Sequence, residues 1–163
     1  MQYAYPAEYE DAQAQFDGAD SAIQQGIERF RATYGELTSP ELGDRVSQLY
    51  ADEFYFNDTF KTLRTREELV DYLSETGERL KASEVTIENV LTDGSDVFIR
   101  WTMNMSFSAV GRDIESRSIG ISHLRFNDEG RIILHQDFWD GAHGFYRHIP
   151  VVGGLMEWVR KRM

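Results

Sequence analysis

The sequence predicts an α+β domain in which a strongly bent, antiparallel or mixed sheet and about three N-terminal helices enclose an apolar pocket, forming a cone. Apolar residues recur with the helical period as far as Lys81, and after it they alternate with the period of a strand. Turn signals separate the strand-like segments. The 163 residues, 41% of them hydrophobic, suit one domain with a sizeable core.

Each of the three helices has its own signal. Ile23, Ile27 and Phe30 share one face of a helix predicted over residues 21–34. Ser39-Pro40-Glu41 supplies an N-cap and a proline suited to the first turn of the second helix. The third helix is predicted to start with a capping box at Thr65 to Glu68.

The strands are predicted from alternation between apolar and polar residues. They are expected at 54–56, 85–90, 97–107, 116–126 and 131–139. Tight turns are expected at Asp93-Gly94, at Gly111-Arg112-Asp113 and from Asn127 to Gly130. Helices that come first and strands that follow favour helices packed on one face of the sheet.

Charge divides the chain into a main domain and two terminal segments. Residues 1–20 form an acidic lead-in that we expect to be only partly ordered, and residues 21–144 form the domain. Residues 145–163 form an apolar tail with four basic residues and one acidic residue. The net charge of −11 argues against nucleic acid as a partner.

The absence of cysteine excludes disulfides, thiol nucleophiles and zinc fingers, and it fits a cytoplasmic protein. No secretory signal or membrane-spanning stretch is recognised. No spacing of histidines suits a metal, and no glycine loop suits a phosphate, so neither metal nor cofactor is predicted.

The tail leaves three interpretations open. It can close the pocket as a lid, pack on the sheet or across a dimer, or lie on an anionic membrane through its Trp158 and its basic end. We favour the first two, because one short segment binds a bilayer weakly.

Alternation along the strands also places candidate site residues together on one face of a strand. It puts His135, Asp137 and Trp139 on one face of the last strand, and Trp101 and Met103 on one face of a neighbouring strand. A desolvated carboxylate beside a histidine suits proton abstraction next to a carbonyl, water addition or ring closure. The alternative is that His135 and Asp137 only pair with each other or with an arginine, and that the apolar residues are plain core.

The order of these elements and two segments resemble the nuclear transport factor 2-like superfamily, in its SnoaL-like and ketosteroid isomerase-like branch. The segments run from Leu49 to Asp58 (LYADEFYFND) and from Ser122 to Asp140, which includes SHLRFNDEGRI. The resemblance covers roughly residues 21–141 and implies the cone-shaped fold. Many relatives dimerise through the open sheet face, so it also implies a homodimer, which an exposed face with Phe98 and Phe138 would support.

The resemblance to ketosteroid isomerases gives three residues a role. Asp58 matches their general base and Trp139 matches a tryptophan of their pocket. Their oxyanion-binding aspartate falls on Ser122, and their helix tyrosine falls near residues 28–30, where no tyrosine stands. A turn or a helix cap is the competing role for Asp58.

The resemblance to limonene epoxide hydrolases implies a second set of candidate site residues. Asp137 matches their water-activating aspartate, and Tyr55 and Asn57 match the residues that hold the water. Their arginine and second aspartate fall near Trp101 and Met103, which are apolar.

These observations together lead to one expectation about function and one alternative. We expect a small hydrophobic ligand and a cofactor-free isomerase, cyclase or hydratase, with Asp137, Asp58 and His135 as catalytic residues. The pocket is expected to be lined by Tyr55, Asn57, Trp101, Met103, Ser122 and Trp139. The alternative is a non-catalytic ligand-binding or protein-interaction module.

Overall fold

The computed structural model describes residues 5–109, 111–149 and 152–163, without the Tyr5 side chain. Its helices are α1 (Tyr5–Gln15), α2 (Ile23–Tyr34), α3 (Leu42–Leu49), α4 (Arg66–Arg79), α5 (Gly141–Gly144) and α6 (Val152–Arg160), with a 3₁₀ turn at Tyr146–His148. The strands are β1 (Tyr50–Asn57), β2 (Thr62–Leu63), β3 (Leu80–Asp93), β4 (Asp96–Ala109), β5 (Arg112–Phe126) and β6 (Ile132–Trp139). None of the described helices is long and apolar enough to cross a membrane.

The six strands form one mixed sheet in the order β2-β1-β6-β5-β4-β3. β1 runs parallel to β6, and the other neighbouring pairs are antiparallel. Gly94, Gly111 and Gly130 adopt positive φ at the three predicted turns, where glycine is favoured. The predicted α+β class with a mixed sheet is confirmed.

The main core lies between the sheet and helices α2, α3 and α4. Ile27 and Phe30 of α2, Val46 of α3 and Leu69 of α4 are buried against apolar residues of the strands. The Thr65 hydroxyl accepts a hydrogen bond from the Glu68 N–H, which starts α4 as the capping pattern predicts. We call the sheet face toward these helices the inner face.

Within the acidic lead-in, residues 5–15 form α1 on the opposite, outer face of the sheet. Ala12 and Phe16 are buried there with Tyr55 and Leu134. The Arg125 guanidinium donates to the carbonyl oxygens of Gln13 and Phe16. Long-range contacts therefore order a segment whose own apolar pattern is weak.

Candidate active site

A cavity of about 520 Å³ opens between the inner face of the sheet and helices α2 and α4. That volume lies in the range of small-molecule sites. Most of its wall is aromatic or aliphatic, and the polar groups are few. The wall includes Phe30, Tyr34, Phe56, Asp58, Phe60, Tyr72, Leu73, Val85, Trp101, Met103, Met105, Phe107, Ile114, Ser122, His135, Asp137, Trp139, Phe145, His148 and Ile149.

Seven of the nine predicted site residues lie on this wall. They are Asp58, Trp101, Met103, Ser122, His135, Asp137 and Trp139. Strand pairing brings them together, because β5 lies between β4 and β6 and pairs Ser122 with both Ile99 and Asp137. Gly120 allows the close packing, since a Cβ there would lie 2.3 Å from the Trp101 ring.

The prediction that Tyr55 and Asn57 line the pocket is wrong, because both face the outer side of β1. Tyr55 is fully buried with Ala12 and Phe16, and its hydroxyl donates to Gln136 Oε1. The Asn57 side chain bonds to Thr62 and Gln136. Alternation along the strand puts these two residues opposite Asp58.

Asp137 is the carboxylate most firmly placed on the cavity wall. Its Oδ1 accepts hydrogen bonds from Ser122 Oγ at 2.5 Å and from His135 Nε2 at 2.8 Å. Trp101 Nε1 donates to Ser122 Oγ at 2.9 Å, and because an indole can only donate, the Ser122 hydroxyl must donate onward to Asp137. The Asp137 side chain keeps 15% of its area exposed.

His135 connects Asp137 to two tyrosines. The His135 side chain is only 1% exposed, and its Nδ1 lies 2.6 Å from the Tyr50 hydroxyl. The Tyr50 hydroxyl lies 2.5 Å from the Tyr34 hydroxyl. Burial raises the pKa of both tyrosines well above the ordinary value, so both are neutral phenols.

Asp58 has a structural role as well as a place on the wall. Its Oδ1 accepts from the backbone N–H groups of Phe60 and Lys61, and its Oδ2 accepts from the Tyr72 hydroxyl at 2.6 Å. Burial raises the pKa of Asp58 above its ordinary value, and the negative charge of Asp137 adds to that effect. Asp58 is therefore the turn residue that its sequence suggested, and it lies where burial opposes its charged form.

Sequence reasoning missed Tyr34, Tyr50 and Tyr72. Tyr34 lies at the end of the helix predicted over residues 21–34, and Tyr50 lies within the segment LYADEFYFND that carries the resemblance. A signal was available, because a tyrosine within an apolar pattern needs a partner for its hydroxyl. The chain position of that partner was not readable, since Tyr50 and His135 are 85 residues apart.

The first part of the tail closes one side of the cavity. Phe145, His148 and Ile149 line it, and the Phe60 ring packs against those of Phe145 and Tyr146. This position fits the interpretation of residues 145–149 as a lid. Farther on, α6 leaves Leu155 and Trp158 exposed.

No cluster of three histidine, aspartate or glutamate side chains suited to a metal ion occurs among residues 5–109, 111–149 and 152–163. The polar groups of the cavity instead form continuous hydrogen-bonded chains. Such an arrangement can take up, hold and release protons within an apolar space.

Comparison with known sequences gives one family. The model of the SnoaL-like domain matches residues 31–135. Among curated proteins, none matches the chain significantly.

Solved structures resemble the whole domain at low identity. An LEH-like epoxide hydrolase from M. tuberculosis is 21% identical, with a TM-score of 0.61, over 88% of this chain and 98% of that one. A protein described as a SnoaL-like polyketide cyclase, from Jannaschia sp. CCS1, is 16% identical with a TM-score of 0.60, over 77% and 91%.

A third solved structure binds a ligand. This protein from Catenulispora acidiphila, of ketosteroid isomerase-like fold and in complex with trimethylamine, is 17% identical with a TM-score of 0.62, over 73% and 88%. These likenesses show the cone-shaped fold, and at such identities they show nothing of the reaction.

Proposed function

The chain belongs to the SnoaL-like domain family, and we propose that it binds a small apolar molecule in its cavity and performs cofactor-free acid–base chemistry on it. One observation carries the proposal: the Asp137 carboxylate lies on a mostly apolar wall, held by His135 and Ser122. Isomerases, cyclases and hydratases all need such a group.

Asp137 is the proposed proton acceptor and donor. Ser122 and His135 both donate to Oδ1, and among the described residues no hydrogen-bond partner is found for Oδ2. Oδ2 can therefore take a proton from a ligand carbon or from a water molecule, breaking one C–H or O–H bond and forming one O–H bond. The electron pair stays on the ligand, and the same oxygen later returns the proton.

Asp58 and His135 complete the proposed catalytic set. Burial raises the pKa of Asp58, so it takes up a proton more readily than an exposed aspartate, and it is the proposed donor of a proton or a hydrogen bond to a ligand oxygen. Its bond with Tyr72 fixes the direction of the carboxyl group. His135 holds Asp137 in place and is itself poised to carry a proton.

A homodimer in the cytoplasm is part of the proposal. Ile119, Ile121 and Phe138 are exposed on the outer face, which supports pairing of two copies there. Phe98 contributes less than expected, because it is half-buried and stacks on His123. Membrane contact through α6 is not favoured, for the same reason as before: one short helix binds weakly.

A non-catalytic binding module is the second candidate. The structural relatives are too distant to show a shared reaction, and the same fold serves many functions. A cavity that only binds would also need the apolar wall and a few polar groups. The two candidates differ in whether Asp137 moves a proton.

Hydrogen–deuterium exchange of a ketone tests this without knowledge of the natural ligand. The protein is incubated in D₂O with bicyclic ketones such as 2-tetralone, and replacement of C–H by C–D next to the carbonyl is followed by NMR. We expect exchange above buffer, and Asp137→Asn should slow the enzymatic part by about a hundredfold or more. Asp128→Asn, a change at an exposed residue outside the cavity, is the matched control.

The outcomes separate the candidates. Exchange that persists in Asp137→Asn contradicts the role of Asp137. Native mass spectrometry adds the second readout: a ketone bound one per chain but exchanged no faster than in buffer favours the non-catalytic module.

A further inference from the structure

The chain of hydrogen bonds from Asp137 does not end at His135 but returns to the same cavity at another place. Its links measure 2.8 Å from Asp137 to His135, 2.6 Å from His135 to Tyr50 and 2.5 Å from Tyr50 to Tyr34. Asp137 and Tyr34 both line the cavity, whereas Tyr50 is fully buried and does not. Two points of one ligand site are thus connected through the protein interior.

We propose that the Tyr34 hydroxyl is a second acid–base point of the cavity, connected through Tyr50 to the His135–Asp137 pair, and that it binds a neutral hydroxyl or carbonyl oxygen of the ligand. This deepens the proposed function and rests on it for the identity of the cavity as a ligand site. It narrows the ligand to an apolar molecule that carries at least one such oxygen.

The direction of each hydrogen bond follows from the donors. His135 Nε2–H donates to the Asp137 carboxylate, so only Nδ1 is free to change. When His135 is neutral, Nδ1 accepts from Tyr50, Tyr50 accepts from Tyr34, and the Tyr34 oxygen offers a lone pair to the cavity. When Nδ1 carries a proton, the His135–Tyr50 and Tyr50–Tyr34 hydrogen bonds reverse, the bond to Asp137 keeps its direction, and the Tyr34 O–H becomes a donor to the cavity.

The change between these two states is a balanced proton transfer. A ligand hydroxyl gives its proton to the Tyr34 oxygen, Tyr34 passes its own proton to Tyr50, and Tyr50 passes its proton to Nδ1. One O–H bond breaks on the ligand and one N–H bond forms on His135. The ligand oxygen becomes negative, and the imidazolium is stabilised by the Asp137 carboxylate beside it.

The two tyrosines conduct the proton without becoming phenolates. Their burial disfavours the anionic form, as the raised pKa of each indicates. Both hydroxyls stay neutral before and after the transfer, because each gains one proton as it gives one. A ligand carbonyl would bind to the state in which Nδ1 carries a proton. In that state Tyr34 donates a hydrogen bond to the carbonyl oxygen, and Asp137 takes a proton from a neighbouring C–H group.

A pair of probe ligands tests the oxygen preference. 1-Naphthol and naphthalene differ by one hydroxyl and are small enough for the cavity. We expect wild type to bind 1-naphthol about tenfold more tightly by titration, the usual effect of one neutral hydrogen bond. The preference should vanish in Tyr34→Phe and shrink in Tyr50→Phe, which leaves the cavity wall intact.

Tyr55→Phe is the matched control, because Tyr55 lies on β1 like Tyr50 and the substitution removes a buried hydroxyl, but on the outer face of the sheet. It should keep the full preference for 1-naphthol. A preference that survives in Tyr34→Phe, or that falls equally in Tyr55→Phe, overturns the proposal.

NMR of histidine labelled with ¹⁵N tests the connection without any ligand. The Nδ1 resonance of His135 should shift in Tyr50→Phe and, through Tyr50, in Tyr34→Phe, but not in Tyr55→Phe. An Nδ1 resonance unmoved by Tyr34→Phe overturns the relay. Failure of both naphthyl probes to bind, with these shifts observed, would instead contradict the proposed ligand site.

Discussion

Two arrangements of tyrosine, histidine and aspartate lie on opposite faces of the sheet with similar geometry. The inner triad is Tyr50, His135 and Asp137, and the outer triad is Tyr9, His123 and Asp96. In each, the tyrosine hydroxyl lies 2.6 Å from Nδ1, and Nε2 lies 2.8 Å from the inner carboxylate or 2.6 Å from the outer one. Each histidine side chain is 1% exposed.

The two triads differ in what the carboxylate meets. The Arg125 guanidinium donates to Asp96 at 2.5 Å and to the carbonyl oxygens of Gln13 in α1 and of Phe16 just after it, so the outer triad holds the end of this helix on the sheet. Burial opposes ionisation of Asp96, but hydrogen bonds from Arg125 and His123 bring its pKa below the ordinary value. Asp137 meets a serine hydroxyl and an apolar cavity. The surroundings of the carboxylate, more than the triad itself, decide between structure and chemistry.

Removal of the Arg125 guanidinium should have the largest effect on the stability that the outer triad provides. Arg125→Met leaves Asp96 without the guanidinium and removes the donor to the Gln13 and Phe16 carbonyl groups, and we expect a loss of about 2–4 kcal/mol in the free energy of unfolding. Urea unfolding measures this loss, and amide exchange of α1 should rise with it. Binding of 1-naphthol should stay near the wild-type value, and a large loss of binding would contradict the separation of the two faces.

The difference between the two faces also explains which residue positions could be predicted from the sequence. Alternation along β4 and β6 correctly placed Trp101, Met103, His135 and Asp137, because one residue in two faces the cavity. The placement of Tyr55 on the pocket wall followed from the resemblance alone, and it was wrong.

The outer face was harder to predict for a physical reason. Helix α1 has no clear apolar stripe, and it is held by Arg125, a residue more than a hundred positions away. The hydrogen bonds between Tyr34, Tyr50 and His135 could not be predicted for the same reason, since the Tyr50 hydroxyl reaches His135 only once the sheet has formed. Local pattern predicts which face a residue takes, but not the partner of a polar atom.

Acid should affect the outer triad through His123. Burial lowers the pKa of His123 below the ordinary value near 6.5, although Asp96 opposes this. The unfolded state therefore binds a proton that the folded state resists, and stability falls as the pH drops below about 6.5. Urea unfolding at several pH values from 7 to 5 measures this slope.

His123→Asn is the variant that isolates this effect. We expect it to be less stable at pH 7 but to lose less stability than wild type between pH 7 and pH 5. Asp58 acts in the opposite direction, because its raised pKa favours the folded state while it is protonated, and that contribution is lost as the pH rises through the raised value. An equal acid slope in wild type and His123→Asn would remove His123 as the cause.

The smallest expected effect comes from removing the same atom in each triad. Tyr9→Phe and Tyr50→Phe each delete one hydroxyl from a buried histidine, and each should cost about 1 kcal/mol of unfolding free energy. Their consequences for the cavity should differ, since only Tyr50 connects its histidine to a residue of the wall. Tyr9→Phe is expected to keep the preference for 1-naphthol over naphthalene, and Tyr50→Phe to reduce it. If Tyr9→Phe reduced that preference equally, the inner triad would have no special link to the ligand site, and both triads would serve stability alone.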